Sequence, residues 1–391
     1  MEATVLNKDF MPIAVIDNYK SFIWTERYDE YGDFDLSLPL EDTLPSYIQK
    51  GYYLWKEGSN RLMIIESISV DSSEEDGLTL LVTGRSLESI LTRRVVWTKR
   101  VFVMKEVNKK DVYPSLQDTL ISLLTENIIT DGVRNIPNFV IEPSTDPRIL
   151  ELTIEGEYLG QELYEVVSNA CKEKEIGFKM EYHESYIKDN NTYDNAFVFS
   201  LYKGEDRSYN QSENPYVIFS PEFGNIANTN YIDSVEDFKN VALVVGESTY
   251  KEDGTEESRI QNVISADGTS TDPIAGLERR ELFVDATGES TNDDNNGTIA
   301  MDRYKAMLKQ KGIDGLIEHS PIQALEGEVE YICSFEYRKD YYVGDTVQLV
   351  NEYGYEGQAY ISEYVESCDE SGFNAYPTFN VITRGWYESD E

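Results

Sequence analysis

The chain has 391 residues, and 73 acidic against 34 basic side chains give it a formal charge of -39. Hydrophobic residues at 40% and aromatics at 12% suffice for folded cores, so the acidity does not signal disorder, and the length predicts about two to four domains. Charge of this sign repels nucleic acid, which excludes a basic binding surface over most of the molecule; it serves either as a solvated coat or as the lining of a passage for a polyanion.

From Met1 to about Lys105 the pattern is nearly all strand: Ala3–Leu6, Ile13–Ile16, a hairpin within Ser21–Pro39, then Tyr52–Lys56, Leu62–Val70 and Leu78–Thr83. Short strands parted by Gly, Asn, Asp and Ser suggest a small barrel or sandwich. In the hairpin, Phe22, Trp24, Phe34, Leu36 and Leu38 alternate on either side of an acidic turn, Arg27 to Gly32, as a hairpin with one face on a core would. Gly32 is expected to supply a backbone angle that other residues resist. Ser86–Leu91 is a short helix candidate, and Val95–Val103 returns to strand.

The middle of the chain changes period. Leu116, Leu120, Leu124 and Ile128 keep helical spacing after Pro114 and Ser115, good helix-start residues. Leu159–Lys174 repeats the pattern through Leu163, Val166, Val167 and Ala170; Gly177 ends it, and Phe178–Tyr182 is a strand. Lys188–Asn195 and Gly204–Pro215 read as loop and polar stretch, with strands at Tyr216–Phe219 and Val241–Gly246. Glu252–Asp272 and Thr287–Gly297 read as exposed loops, and Met301–Lys311 as a helix stopped by Gly312. Strands close the chain at Val329–Phe335, Thr346–Asn351, Gln358–Val365 and Phe373–Ile382.

Two stretches share a layout: Gly51 with a strand, a Gly58 turn and a block opening near Ile65, and Gly344 with a strand, a Gly354 turn and a block opening at Ile361. Either an internal duplication or any β-meander produces this. The fold class that follows is mainly β with α+β insertions: two β-barrel-like domains related by a pseudo-repeat, plus smaller α/β subdomains. The expected boundaries are 1–105 for the first barrel-like domain and 106–240 for an α+β domain returning to it near 216–235. The second barrel-like domain takes 241–275 and 326–391, and 276–325 is a loop-rich insertion with a helix.

Chemistry-bearing patterns are sparse. Cys171, Cys333 and Cys368 lie far apart without a CxxC pair, so neither a disulfide framework nor a zinc knuckle is encoded, and a reducing compartment is expected. Glu2, Lys8 and Asp9 interrupt the first apolar run, so no cleavable signal is expected. The longest apolar runs, such as Val241–Val245, fall far short of the ~20 residues of a membrane span, so a soluble chain without one is expected. His183 and His319 are the only histidines, Gly84-Arg85-Ser86 lacks the second glycine of a nucleophile elbow, and no phosphate-cradling motif occurs. Asn292–Asp302 imitates half a calcium loop, but Arg303 stands where the bidentate Glu belongs. No catalytic residue, metal ligand or cofactor is expected. Carboxylate pairs and the 28 tyrosines keep one alternative open, a carbohydrate-binding protein or a glycosidase with paired carboxylates. One basic island, Arg85 to Lys110, holds Arg85, Arg93, Arg94 and Arg100; it is either a docking face or a set of long stems over apolar surface. With Arg27, Tyr28, Asp29 and Tyr31 of the hairpin turn, these are the interface candidates.

Ile23-Trp24-Thr25-Glu26-Arg27-Tyr28 with Gly32-Asp33-Phe34 resembles the opening signature of the siphophage tail-hub (tail-associated, baseplate hub) proteins. Gly84 to Leu91 with Arg93-Arg94-Val95 is similar to the family's next signature, a Gly-Arg turn into a short helix and an Arg-Arg strand. Asp206-Arg207-Ser208, Phe219-Ser220, Gly224-Asn225-Ile226 and Lys239-Asn240-Val241 resemble its central block, and Leu277 to Glu281, including Arg279, and Tyr341 to Val347, with Gly344-Asp345, resemble later ones. The motif residues carried over are Trp24, Glu26, Gly32, Phe34, Gly84, Arg85, Arg279, Gly344 and Asp345. The resemblance implies a structural protein of the virion, assembled in the host cytoplasm: a homotrimer whose two barrels form a pseudo-sixfold ring at the distal end of the tail. It implies as partners the distal tail and tail-tube proteins, the tape-measure protein and a tip or receptor-binding protein, with DNA passing through a central channel without sequence recognition. The chain ends at Glu391, just past the last strand, so a separate tip protein rather than a built-in wall-degrading module is expected.

Overall fold

The computed structural model describes residues 1–40, 45–59, 61–73, 77–107, 110–130, 132–250, 253–265, 274–293, 297–328, 335–351 and 356–381. Strands β1 (Ala3–Leu6) and β2 (Pro12–Ile16) precede the hairpin of β3 (Ser21–Arg27) and β4 (Asp33–Pro39), then the meander β5 (Tyr53–Lys56), β6 (Leu62–Ser73) and β7 (Gly77–Ser86). A 3-10 turn at Leu87–Arg93 opens a middle region of β8 (Arg100–Phe102), β9 (Lys105–Val107), β10 (Lys110–Val112), helix α1 (Leu116–Leu124), β11 (Phe139–Glu142), α2 (Pro147–Leu150), β12 (Gly156–Tyr158), α3 (Leu163–Glu173), β13 (Gly177–Lys188) and β14 (Asn191–Tyr202). Next come β15 (Ile218–Phe219) and β16 (Ala227–Ser234), then an inserted block of β17 (Val241–Tyr250), β18 (Glu256–Ser265), β19 (Glu281–Asp285), β20 (Asn292–Asp293), β21 (Gly297–Thr298) and α4 (Met301–Glu318). Strands β22 (Ile322–Glu328), β23 (Thr346–Val350), β24 (Glu356–Asp369) and β25 (Gly372–Val381) follow.

One large sheet joins both ends of the chain in the order β16-β22-β25-β24-β3-β4-β7-β6-β5-β1-β2, with β23 also on β24 and β15 on β23. Its halves repeat a single strand order: β3-β4-β7-β6-β5-β1 in the first unit and β16-β22-β25-β24-β23-β15 in the second. The match extends to register. In β6·β7 the pairing shifts between Ile65 and Ser67, so that Ser67 faces Thr83; in β24·β25 it shifts between Ile361 and Glu363, so that Glu363 faces Thr378. The bulged residues are Glu66 and Ser362.

Each bulge is anchored by the same pair of backbone bonds. Gly51 N–H donates to the Ile65 carbonyl (2.8 Å) and Ile65 N–H to Tyr52 (2.8 Å); Gly344 N–H donates to Ile361 (2.7 Å) and Ile361 N–H to Asp345 (3.0 Å). Both glycines sit in the left-handed region, at φ +80° and +93°, where a side chain is strained. The units differ at the strand beyond: β1 runs antiparallel to β5, β15 parallel to β23. Phe22, Trp24, Phe34 and Leu36 centre the first core, and Phe219, Tyr341, Ile361 and Phe379 the second. A third core lies between α1, α3 and the sheet β11-β14-β13, around Leu120, Leu163, Val167, Phe178 and Phe199.

Several sequence expectations change. Lys188–Asn195 is a tight hairpin rather than a loop: Asp189 and Asn190 take φ of 49° and 63°, the pair of positive angles of a two-residue turn that matches strand twist, and β14 starts at once. Glu252–Asp272 contains β18, which pairs with β17. The helix at Met301 passes through Gly312 to Glu318, because a Cβ at Gly312 would lie 2.8 Å from Ile264 Cδ1 and 2.9 Å from Val244; that glycine lets the helix approach its sheet. Residues 241–265 therefore form a block with β19 and α4 around Val244, Ile264, Tyr304 and Leu308, separate from the second sheet unit. Strand Val95–Val103 shrinks to a bridge at Val95 and the short β8. Strand β22 falls at Ile322–Glu328, and 329–334 of the expected Val329–Phe335 lie outside the described residues.

Candidate assembly site at the seam of the two sheet units

The two units meet where β24 divides its length between them. Its first half pairs with β23; its second half, Glu363 to Asp369, pairs antiparallel with β3 from Arg27 back to Ser21. The bulge at Ser362 separates the halves, and Tyr28 N–H continues the ladder by donating to the Ser362 carbonyl (3.0 Å). The hairpin read from the sequence is therefore the chain's own joint.

Glu26 is the charged centre of this joint, 5% exposed in β3. Its carboxylate accepts from Ser59 Oγ (2.6 Å) and Trp24 Nε1 (3.2 Å) of the first unit, and from Tyr337 Oη (3.0 Å) and the Arg338 guanidinium of the second. Burial pushes its pKa up, but the charges of Arg338 and Arg61 and the Ser59 and Trp24 donors outweigh that and hold it below the ordinary carboxylate value. Arg61 itself pairs with the buried Glu88, whose carboxylate also accepts Met180 N–H (2.9 Å). One buried network thus ties both sheet units to the middle region.

Arg27 binds along the surface of the same joint. Its Nε donates to Glu363 (2.9 Å) across the seam, and its Nη1 to Asp33 and to the Tyr31 carbonyl (3.1 Å) within the turn. Tyr28, 2% exposed, is wedged among three segments. A Cβ at Gly177 would lie 2.4 Å from its ring and one at Gly344 2.2 Å; its hydroxyl donates to the Glu175 carbonyl (3.3 Å) and accepts Gly204 N–H (3.2 Å). Gly344 therefore serves two needs, a left-handed φ and room for this ring. Next to it the buried Asp345 accepts Glu205 N–H (2.8 Å), Tyr342 N–H (3.1 Å) and Arg207 Nε (2.7 Å), which fastens the Gly204 loop to β23; burial nonetheless raises its pKa.

The other expected residues are placed as follows. Trp24 and Phe34 stack in the first core (6.4 Å between centroids). Gly32 does not take a positive φ; a Cβ there would lie 2.3 Å from the Thr25 carbonyl, so close approach, not backbone angle, requires glycine. Gly84 is needed for the same reason, 1.8 Å from the Ile64 carbonyl. Arg85 donates to both oxygens of Glu66 (2.6 and 3.0 Å) and lies over the Tyr31 ring, with Arg93 3.7 Å from the same carboxylate. Arg94 donates to the Arg134 carbonyl, and Arg100 grips Glu126 with two 2.7 Å bonds. The basic island is thus largely matched by acids and carbonyls of its own chain. Arg279 pairs with Glu281 (2.5 Å) in the inserted block, away from the seam. Sequence reading missed Ser59, Arg61, Glu88, Tyr337, Arg338 and Glu363, because partners from distant segments leave no spacing signal.

Beside the seam lies an acidic cleft of about 820 Å³ between the hairpin turn, α3, α4 and β24. Asp29 and Asp314 face into it with pKa values pushed up to about 6, in each case by burial, to which Glu30 and Glu173 respectively add like-charge repulsion. Lys172, Lys311 and Arg27 line it too. Among the described residues no group of three His, Cys, Asp or Glu side chains is placed to hold a metal ion. His183 packs on Tyr186 (5.1 Å), and the Ser86 hydroxyl accepts Gly32 N–H (2.8 Å) as a turn clasp. Cys171 and Cys368 are free thiols. No described helix is long and apolar enough to cross a membrane.

Two sheet units of one strand order are thus fused edge to edge through a buried ionic joint. The chain belongs to the Siphovirus ReqiPepy6 Gp37-like protein family, whose model matches residues 2–379. In fold it is similar to the 43 kDa tail protein of prophage MuSo2 from Shewanella oneidensis, with TM-score 0.55, 12% identity, 97% of this chain and 98% of that one covered. It is similarly close to the tail protein from Neisseria meningitidis MC58, with TM-score 0.54, 12% identity, and 98% and 97% coverage. No curated protein matches the chain in sequence. The resemblance carried by Ile23–Tyr28 and Gly32–Phe34 thus extends over nearly the whole chain.

Proposed function

We propose that the protein is the hub, or baseplate, component of a siphophage tail. Three copies form a ring of six similar sheet units that closes the distal tail tube, leaves a central channel for DNA, and connects the tube to a tip or receptor-binding protein. The observation that carries this reading is the duplication: one strand order, with one bulge register, occurs twice in a chain and the two occurrences share a sheet. Three such chains present six similar faces, suited to a sixfold tube on one side and a threefold tip on the other.

On this reading the chain's partners are two further copies of itself, the distal tail and tail-tube proteins, the tape-measure protein and the tip protein. DNA crosses without sequence recognition, in keeping with the formal charge of -39, which discourages sticking. The protein assembles in the host cytoplasm and resides at the distal end of the tail. Its work is structural rather than enzymatic; the buried carboxylate at the centre of the seam, Glu26, is engaged by donors from both units. Native mass spectrometry of the purified protein and of tail particles tests this. Three copies are expected, whereas a stable monomer that turns over cell-wall glycans overturns it.

A further inference from the structure

The seam inside the chain shows what a unit needs from its neighbour, and one such seat has no occupant among the described residues. In the second unit, the bulge at Ser362 turns β24 away from β23 and frees its edge from Glu363 to Asp369, which β3 then covers. In the first unit β6 has the same bulge, at Glu66, and its pairing with β5 stops at Ile64. Its edge from Ser67 to Ser73 corresponds residue for residue to Glu363–Asp369, yet carries no strand among the described residues. Val365 of the covered edge is 8% exposed, while its counterpart on the open edge, Ser69, is exposed.

The strand that corresponds to β3 is β16, and it is the terminal strand of the sheet, paired on one side to β22 and on the other to no strand among the described residues. Ile232 and Val235 are exposed there. Among the described residues the open edge of β16 and the open edge of β6 are not paired with each other, and two open edges of matching design on one molecule suit head-to-tail pairing between copies.

We propose that β16 of a second copy of this chain occupies the Ser67–Ser73 edge of β6, reproducing between chains the β3·β24 seam within a chain. The register follows from the repeat. Thr25 faces Val365 and Arg27 faces Glu363 at the internal seam; through the pairings of β4·β7 and β22·β25 their counterparts are Ile232 facing Ser69 and Ser234 facing Ser67. The Tyr28-to-Ser362 bond has its counterpart from Val235 N–H to the Glu66 carbonyl. Because Tyr28 and Ser362 form a hydrogen-bonded pair, the Thr25/Val365 type of pair is the closely spaced, non-hydrogen-bonded kind. Two cysteines there fall within reach of a disulfide.

The inference rests on the ring reading, and the experiment separates the two. In the full chain with Cys171, Cys333 and Cys368 replaced by serine, Ser69→Cys is combined with Ile232→Cys, and separately Ser67→Cys with Ser234→Cys. Under mild oxidation both matched pairs should give interchain disulfides at least about tenfold more efficiently than the mismatched pairs Ser69→Cys/Ser234→Cys and Ser67→Cys/Ile232→Cys. The covalent ladder should end at three chains. Val70→Pro, which removes an N–H directed at the open edge and not at β7, should abolish the ring while leaving the monomer's melting temperature close to wild type. A trimer by native mass spectrometry without cross-linking of the matched pairs overturns the edge pairing and leaves the ring reading standing. Matched cross-linking in a ladder that runs past three chains supports the edge pairing and overturns the ring of three. A monomer without cross-links overturns both.

Discussion

The first and second sheet units share strand order, bulge position and the glycine that anchors the bulge, yet they differ in what fills the gap between corresponding strands. Between β3 and β4 lies a turn of a few residues, Tyr28 to Gly32; between the corresponding β16 and β22 lies the whole inserted block with α4. Their cores differ as well, Trp24 and Phe34 in one, Phe219, Tyr341 and Phe379 in the other. Backbone hydrogen bonding fixes register in both, while side chains need only fill the space, which is why the repeat survives in pairing and bulge when it is faint in sequence. The occupied edge of the second unit and the open edge of the first are then two states of one design.

Breaking the internal joint should have the largest effect. Glu26→Ala leaves Arg338 without its buried counter-charge and should cost about 3–5 kcal/mol in chemical denaturation; a loss under about 1 kcal/mol would mean that the strand ladder holds the units together without the network. The two bulge glycines sharpen the comparison further. At Gly51 a Cβ meets nothing nearer than Lys8 Cε at 3.7 Å, so Gly51→Ala should cost about 1 kcal/mol from backbone strain alone. At Gly344 the same change also strikes the Tyr28 ring, 2.2 Å away, and should cost about 2–4 kcal/mol. Equal costs would show that Tyr28 is not a wedge of the joint.

The smallest effect is in pH dependence. Asp29 and Asp314, raised to about 6, hold protons more tightly when folded, so stability falls as pH rises from about 4 to about 6 through their titration. Glu26 acts oppositely: its lowered pKa adds stability above about 4.3 that is lost as pH falls through its folded value. Asp29→Asn with Asp314→Asn should therefore flatten the difference in unfolding free energy between about pH 5 and about pH 7 by about 1–2 kcal/mol. An unchanged profile would place the origin in the overall charge rather than in the cleft.

Much of the fold was legible in residues whose environment is local. Alternation around Trp24 and Phe34, the Pro114-Ser115 start of α1, and the Gly51 and Gly344 blocks all reported correctly, because strand faces, caps and left-handed glycines are written in nearby positions. Gly312 misled because a glycine that permits helix–sheet contact is spelled like one that ends a helix. Asp189-Asn190 was read as loop because polar turn residues in a two-residue hairpin resemble a longer loop. The joint itself was half legible: Trp24, Glu26, Arg27 and Tyr28 stood out as a motif, but Glu363, Tyr337 and Arg338 lie hundreds of residues away and no periodicity links them to β3.

The most direct test of the duplicated-unit account is a cryo-electron microscopy structure of the assembled particle at side-chain resolution. It should show a ring in which the Thr25/Val365 seam within each chain alternates with an Ile232/Ser69 seam between chains, three times each. A ring whose chains leave the Ser67–Ser73 edge bare, or pair it in another register, would contradict it.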